Sequence, residues 1–198
     1  MKKLLFISMI GMLALLTSCT TMRYGVKAGP TFATLTGDDT DNLDAKIGFF
    51  FGGLAELEVT DMFSVQPELL FSSQGTKYSD SDGFDGKLKF NYLNLPVMAK
   101  VYVSDGFFFE AGPQLGYLLS AKDEYESPGL SGEDDLKDEG FVKDIDVGAN
   151  IGLGYQLDSG LNIGARYNFG LTNINDLEDS GDFSIKNSVI SLLVGFRF

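Results

Sequence analysis

Three glutamates, Glu56, Glu68 and Glu110, and four cations, Lys27, Lys100, Arg166 and Arg197, share one face of the strand-like segments of this 198-residue chain. Two of the carboxylates could in principle form the acid–base or nucleophile pair of a hydrolase. Nothing in the sequence sets a cleft or a substrate beside them. The chain has no histidine, which removes triad hydrolysis and every other imidazole-dependent mechanism, and no nucleophile elbow is present. Its single cysteine excludes an internal disulfide and a Cys-rich zinc site. With 15 Lys+Arg against 28 Asp+Glu and a formal charge of -13, no basic face is available to neutralise phosphates, so nucleic acid is excluded as a partner. Asp80-x-Asp82-Gly83 and Gly37-Asp38-Asp39-x-Asp41 offer oxygen ligands to divalent cations, alone or shared with lipid headgroups. Neither has the spacing of a calcium loop. No catalytic, cofactor or metal site is expected.

The elements that position these charges follow from parity. Over Gly160 to Thr172, Leu161, Ile163, Ala165, Tyr167, Phe169 and Leu171 take one face, while Asn162, Gly164, Arg166, Asn168 and Gly170 take the other. Ile145 to Leu157 repeats the split, with Asp146, Gly148, Asn150, Gly152, Gly154 and Gln156 on the polar side. A period of two is the signature of a strand with two unlike faces. A soluble sandwich would present long charged side chains on its polar face. Here glycine and amides crowd it, as the inside of a narrow barrel requires.

The same reading gives eight strands at 24-35, 46-59, 62-74, 88-103, 107-121, 143-157, 160-172 and 184-198. Strand four carries a parity conflict: Leu93, Leu95, Val97, Ala99 and Val101 keep one face, whereas Leu88, Phe90 and Tyr92 hold the other. A bulge or a loop extension is expected there. The connections alternate in length. Thr60-Asp61, Ser104-Asp105-Gly106 and Asp158-Ser159-Gly160 are tight turns, and the segments near 36-45, 75-87, 122-142 and 173-183 are long. The long connections with their flanks hold 20 of the 28 acidic residues, so negative charge gathers on one rim. Solvated loops that keep molecules apart account for this as well as cation binding does.

Residues 1-19 read as an export signal, with Lys2 and Lys3 ahead of an apolar core from Leu4 to Leu16 that is too short to span a bilayer. Leu16-Thr17-Ser18-Cys19 resembles a lipobox, in which Cys19 would be lipidated, but ordinary signal-peptidase cleavage after Cys19 fits equally well. The mature domain is then 20-198. After Cys19 no apolar run is long enough for a membrane helix. The last strand sets Ile190, Leu192, Val194, Phe196 and the terminal Phe198 at alternate positions, a pattern similar to the signal by which bacterial outer-membrane barrels reach their assembly machinery. Tyr24, Phe63, Phe107, Tyr155 and Phe198 fall at one end of the strands and Phe32, Phe49, Phe71, Tyr117 and Phe169 at the other, as two interfacial belts.

Five segments, Tyr24-Gly-Val-Lys-Ala-Gly, Gln66-Pro-Glu-Leu-Leu, Tyr92-Leu-Asn-Leu-Pro, Glu110-Ala-Gly-Pro-Gln-Leu-Gly-Tyr and Gly164-Ala-Arg-Tyr-Asn, resemble the PorT-like outer membrane protein beta-barrel family of Bacteroidetes. The resemblance covers nearly the whole mature chain. It implies an all-β fold, an eight-stranded antiparallel up-and-down transmembrane β-barrel of the OmpA/OmpX type in the outer membrane of a Gram-negative bacterium. The family is defined by fold, and its namesake's link to protein secretion has no residue motif here to carry it.

If Leu161 and its partners face lipid, parity turns Lys27, Glu56, Glu68, Lys100, Glu110, Arg166 and Arg197 into the lumen. Charges in so narrow a barrel must be paired, which makes a salt-bridge plug the expected arrangement. The expected role is structural, adhesive or surface-interacting, in a monomer held by the lipid bilayer, without enzymatic turnover. A narrow channel for ions or small solutes and a soluble lipocalin-like periplasmic carrier are the rivals.

Overall fold

The computed structural model describes residues 21-38, 40, 43-79, 85-127, 130-176 and 184-198. Residues 1-19 with Cys19, and Asp39, Asp41, Asp80 and Asp82 of the acidic motifs, lie outside the described residues. The described residues form nine strands: β1 (Thr21–Gly37), β2 (Leu43–Thr60), β3 (Phe63–Ser79), β4 (Asp85–Tyr102), β5 (Phe107–Ser127), β6 (Leu130–Asp135), β7 (Ile145–Gln156), β8 (Leu161–Gly170) and β9 (Ile185–Arg197). Each pairs antiparallel with its neighbours, and the β1–β9 and β4–β5 ladders close the sheet on itself.

The expected count of eight therefore needs correcting to nine, and the ring explains why. Eight strands close the barrel. The ninth, β6, pairs only with the outer part of β5, from Lys122↔Asp135 to Ser127↔Leu130, above the level where β7 takes over at Tyr117↔Ile145. Its sequence, Leu-Ser-Gly-Glu-Asp-Asp, has poor strand propensity. It is a strand because β5 runs on beyond the ring and the chain folds back along it.

Strand lengths divide the molecule. β7, β8 and β9 have 12, 10 and 13 residues, and at roughly 3.3 Å per residue and a tilt near 45° such strands span about the hydrocarbon thickness. β3, β4 and β5 have 17, 18 and 21. They continue as a raised sheet that also holds β6. Lys89 with Glu124 and Lys122 with Glu133 tie its strands together.

Parity is kept around the ring. Leu69, Leu95, Ile151, Ile163 and Val194 are each about half exposed on the outer surface, as lipid-facing residues should be. The aromatics of both expected belts face outward or are half-buried at the wall. Phe71 packs against Phe49 and Phe51, with ring centroids 5.9 and 5.4 Å away.

The irregularity expected at strand four is present, but on the β5 side of the ladder. β4 keeps one parity throughout, and the irregularity lies in its ladder with β5, where Asn91↔Ser120 is followed by Tyr92↔Leu118. Phe90 and Tyr92 point inward because the loop end of the lumen is apolar. With Leu35, Leu118, Ala121 and Ile174 they form a buried cluster, and Leu136 and Val142 close over it from the connection after β6.

Candidate functional site

The lumen is the only place where the fold gathers the charges selected by parity. Lys27 comes from β1, Glu56 from β2, Glu68 from β3, Lys100 from β4, Glu110 from β5, Arg166 from β8 and Arg197 from β9. Six are buried, and the Arg197 side chain is 12% exposed at the short-turn mouth. At the level of this set β7 supplies space instead of charge. A Cβ on Gly152 would lie 2.9 Å from Glu110 Oε1, so glycine there lets the carboxylate approach the wall.

Two linked clusters result. In the first, Glu68 accepts from Lys27 Nζ at 2.7 Å, from Gln66 Nε2 at 2.6 Å, and from both terminal nitrogens of Arg166 at 2.9 Å. Arg166 Nε donates to Glu110 Oε1 at 2.7 Å. In the second, Glu56 accepts from Ser64 Oγ and Tyr102 OH, each at 2.7 Å, and is paired with Arg197 at 2.8 Å and Lys100 at 3.4 Å. Lys100 bridges the clusters through Gln66 Oε1 at 3.3 Å, and its ammonium sits 4.0 Å from the centre of the Phe108 ring.

Four cations face three carboxylates in the selected set, and the rim extends the network by one charge of each sign. Arg197 also reaches Glu58 Oε1 at 3.5 Å, which in turn pairs with Arg23 at 2.9 Å. Bidentate guanidinium–carboxylate geometry and full hydrogen bonding are what make such burial tolerable in a low-dielectric interior.

Toward the loops the lining changes. Asn168 Nδ2 donates to Asn150 Oδ1 at 3.0 Å, and Asn150 Nδ2 to Gln114 Oε1 at 3.2 Å, forming an amide layer. Phe50, Leu70 and Leu193 make a small apolar cluster at the same depth. Above it stand two charges that the selection omits although parity marks them. Lys46 donates to the Gln74 carbonyl at 2.9 Å where the β2–β3 register shifts, and Asp146 accepts from Asn187 Nδ2 at 2.8 Å, leaving its Oδ1 without a donor. Among lumen-lining residues from Phe50 to Leu193 the remaining cavity is about 30 Å³. The lumen is thus filled in three tiers: ionic, amide and apolar.

No group of three or more potential ligands for a metal ion is brought together among the described residues. No described helix is long and apolar enough to cross a membrane, which says nothing of a crossing by strands.

The model of the outer membrane protein beta-barrel domain matches residues 18–176. The chain belongs to this family. This outer membrane beta-barrel protein accordingly spans the outer membrane of a Gram-negative bacterium with its strands, in contact with the lipid bilayer. The crystal structure of Ail, the attachment invasion locus protein of Yersinia pestis, in complex with the heparin analogue sucrose octasulfate, is similar to it at 15% identity. The match has a TM-score of 0.53 and covers 89% of this chain and 99% of that one. Neisserial surface protein A is similar at 14% identity and a TM-score of 0.52, over 88% of this chain and 97% of its own. At these identities the shared property is the fold. No curated protein sequence matches the chain.

Proposed function

We propose that this outer membrane beta-barrel protein is a non-conducting membrane anchor whose work is done at its exposed end, as a structural, adhesive or surface-interacting protein. The filled lumen carries this reading. A cavity of about 30 Å³ has room for little more than water, and the ionic tier is held by paired charges contributed by seven strands. A solute path and a carried ligand both lack space, and the carboxylates Glu56, Glu68 and Glu110 are engaged by cations, which argues against turnover.

The raised sheet of β3 to β6 and the acidic connections are then the interacting surface. The Yersinia pestis protein is described with a heparin analogue, a polyanion. The rim described here is acidic, so its partner is cationic or is bridged by divalent cations or shared with lipid headgroups. Within the same reading, residues 1-19 direct export, with lipidation or ordinary cleavage at Cys19, and the barrel is a monomer of the PorT-like branch. Ile190, Leu192, Val194, Phe196 and Phe198 form the signal for the barrel-assembly machinery, and their exposure on the outer wall supports that role.

Single-channel recording in planar bilayers tests the reading. The expected result is no steady conductance. Steady conductance that disappears in Glu110→Gln or Arg166→Gln would replace the anchor by a channel. Membrane fractionation with heat-dependent gel mobility checks the compartment, and a soluble protein of unchanged mobility would refute it.

A further inference from the structure

On the outer face of the raised sheet, register sorts the side chains by height. Above the lipid-facing Phe71, Leu93 and Leu119 come Ser73, Asn91 and Ser120, then Lys89 and Lys122, then Lys77 and Lys87. In a strand tilted near 45° each residue adds roughly 2.3 Å of height, which puts Lys89 about 9 Å and Lys87 about 14 Å beyond Leu93. Long lysine stems bring the ammonium groups back toward the headgroup layer.

The pairings point to a ligand. Lys77 stands directly opposite Lys87, and Lys89 directly opposite Lys122, although like charges at opposed positions destabilise a ladder. The lower pair is compensated, Lys89 by Glu124 and Lys122 by Glu133. The upper pair is not. Lys77 and Lys87 are both exposed, Lys77 faces Asp44 across the β2 ladder without reaching ion-pair distance, and among the described residues neither lysine has a carboxylate partner. In a chain of formal charge -13, solubility does not account for two free ammonium groups set side by side. Composition gives no basic face, but register makes a local one.

We infer, building on the surface-interacting anchor proposed above, that Lys77 and Lys87 hold the phosphate of a phosphate-monoester lipid in the leaflet at the raised-sheet end. A phosphate monoester carries about -1.5 to -2 charges near neutral pH, which matches two ammonium groups. The strip continues without a break into the lipid-facing wall at Leu93 and Leu119, so the acyl chains of the same molecule lie where the wall is apolar. A lipid fits this continuity and a soluble anion does not use it. Asp44 on one side and Glu124, Glu126 and Glu133 on the other confine the free positive charge to β3 and β4, too narrow a strip for an extended polyanion.

The test is nuclear magnetic resonance of the isotopically labelled full barrel in phosphatidylcholine nanodiscs at low salt, with phosphatidic acid introduced stepwise. Saturating shifts are expected at the amides of Lys77 and Lys87, and distinctly smaller ones with phosphatidylglycerol, a phosphodiester, at the same surface charge. Lys77→Gln and Lys87→Gln combined should weaken binding about thirtyfold, the strength of two lysine contacts with anionic headgroups, whereas Lys77→Arg with Lys87→Arg should retain it. Heat-dependent gel mobility establishes that each variant is folded. Equal shifts with phosphatidylglycerol, equal shifts with inorganic phosphate over phosphatidylcholine alone, unchanged shifts in the double glutamine variant, or no shifts with phosphatidic acid would each overturn the proposal. The shifts do not depend on whether the lumen conducts, so the lipid site and the non-conducting anchor fail separately.

Discussion

The guanidinium of Arg166 on β8 grips both carboxylate oxygens of Glu68 on β3 at 2.9 Å, across the lumen and over 98 residues of chain. The contact links strands on opposite sides of the ring, so it exists only when the barrel has closed. Its consequences are the most direct to measure.

Removing Glu68 leaves Lys27 and Arg166 facing each other without their shared carboxylate. Glu68→Leu should therefore destabilise the barrel by about 3–5 kcal/mol, the cost of an uncompensated buried charge. Equilibrium urea unfolding in detergent or lipid reads this as a lowered midpoint. Arg197→Ala should cost distinctly less, because Arg197 is partly exposed at the mouth.

The loop-end apolar cluster makes a separate contribution. Phe90 is 2% exposed and has no polar contact to lose, so Phe90→Ala should cost about 3 kcal/mol through lost packing and the residual cavity. If the ionic tier alone seals the lumen, this variant remains non-conducting in planar bilayers, and conductance should appear only when Glu68→Leu is added.

The outer wall should respond in the opposite sense to charge. Leu95, half exposed on β4, faces the hydrocarbon, so Leu95→Arg should cost about 2–4 kcal/mol if it lies near the midplane. Val101→Arg, nearer the short turn, should cost about 1 kcal/mol or less. Paired unfolding titrations in the same lipid give the depth profile.

Gly152 is a close-approach position. Gly152→Ala brings a methyl within 2.9 Å of Glu110 Oε1 and 2.8 Å of the Ala165 carbonyl, so it should destabilise by about 1–3 kcal/mol. Gly140, with nothing within 4 Å but a left-handed φ of 75°, tests strain alone, and Gly140→Ala should cost about 1 kcal/mol.

The raised sheet should be indifferent to pH near neutrality. The hydrogen bond from Lys89 holds the Glu124 carboxyl below its ordinary range, and the hydrogen bond to Glu133 pushes the Lys122 ammonium up. The first contribution is present above the unfolded carboxylate range and is lost as pH falls through the lowered value. The second is present below the unfolded lysine value and is lost as pH rises through the raised one. Amide hydrogen exchange at Gly132, corrected for its intrinsic pH dependence, should accelerate in strong acid and strong base, with a plateau between. Both pairs are solvent-screened, so the effect should shrink in high salt.

Much of this was legible in residue order. The alternation in Ile145 to Leu157 and in Gly160 to Thr172 identifies the lipid-facing wall, and the same parity selects seven of the charges that meet in the lumen. Applied without exception it also reaches Lys46 and Asp146, which share the inward face with Glu56 and Asn150. The conflict in strand four was a misreading of chemistry: Leu88, Phe90 and Tyr92 looked outward because they are apolar, yet the lumen is itself apolar near the loops. β6 was illegible because Gly132, Glu133 and Asp134 carry no strand signal, and only the continuing edge of β5 makes them one.

Outside the loop end of strand four, the sequence by itself determined which side of a strand meets lipid, because facing is a local property with a period of two. It also determined where charge accumulates along the chain. Only the tertiary structure decided which carboxylate meets which cation, that β9 joins β1 to complete the ring, and that the interior is divided into tiers. Those outcomes depend on register and closure, which relate residues far apart in the chain, and a shift of one residue in any ladder would exchange the two faces of a strand.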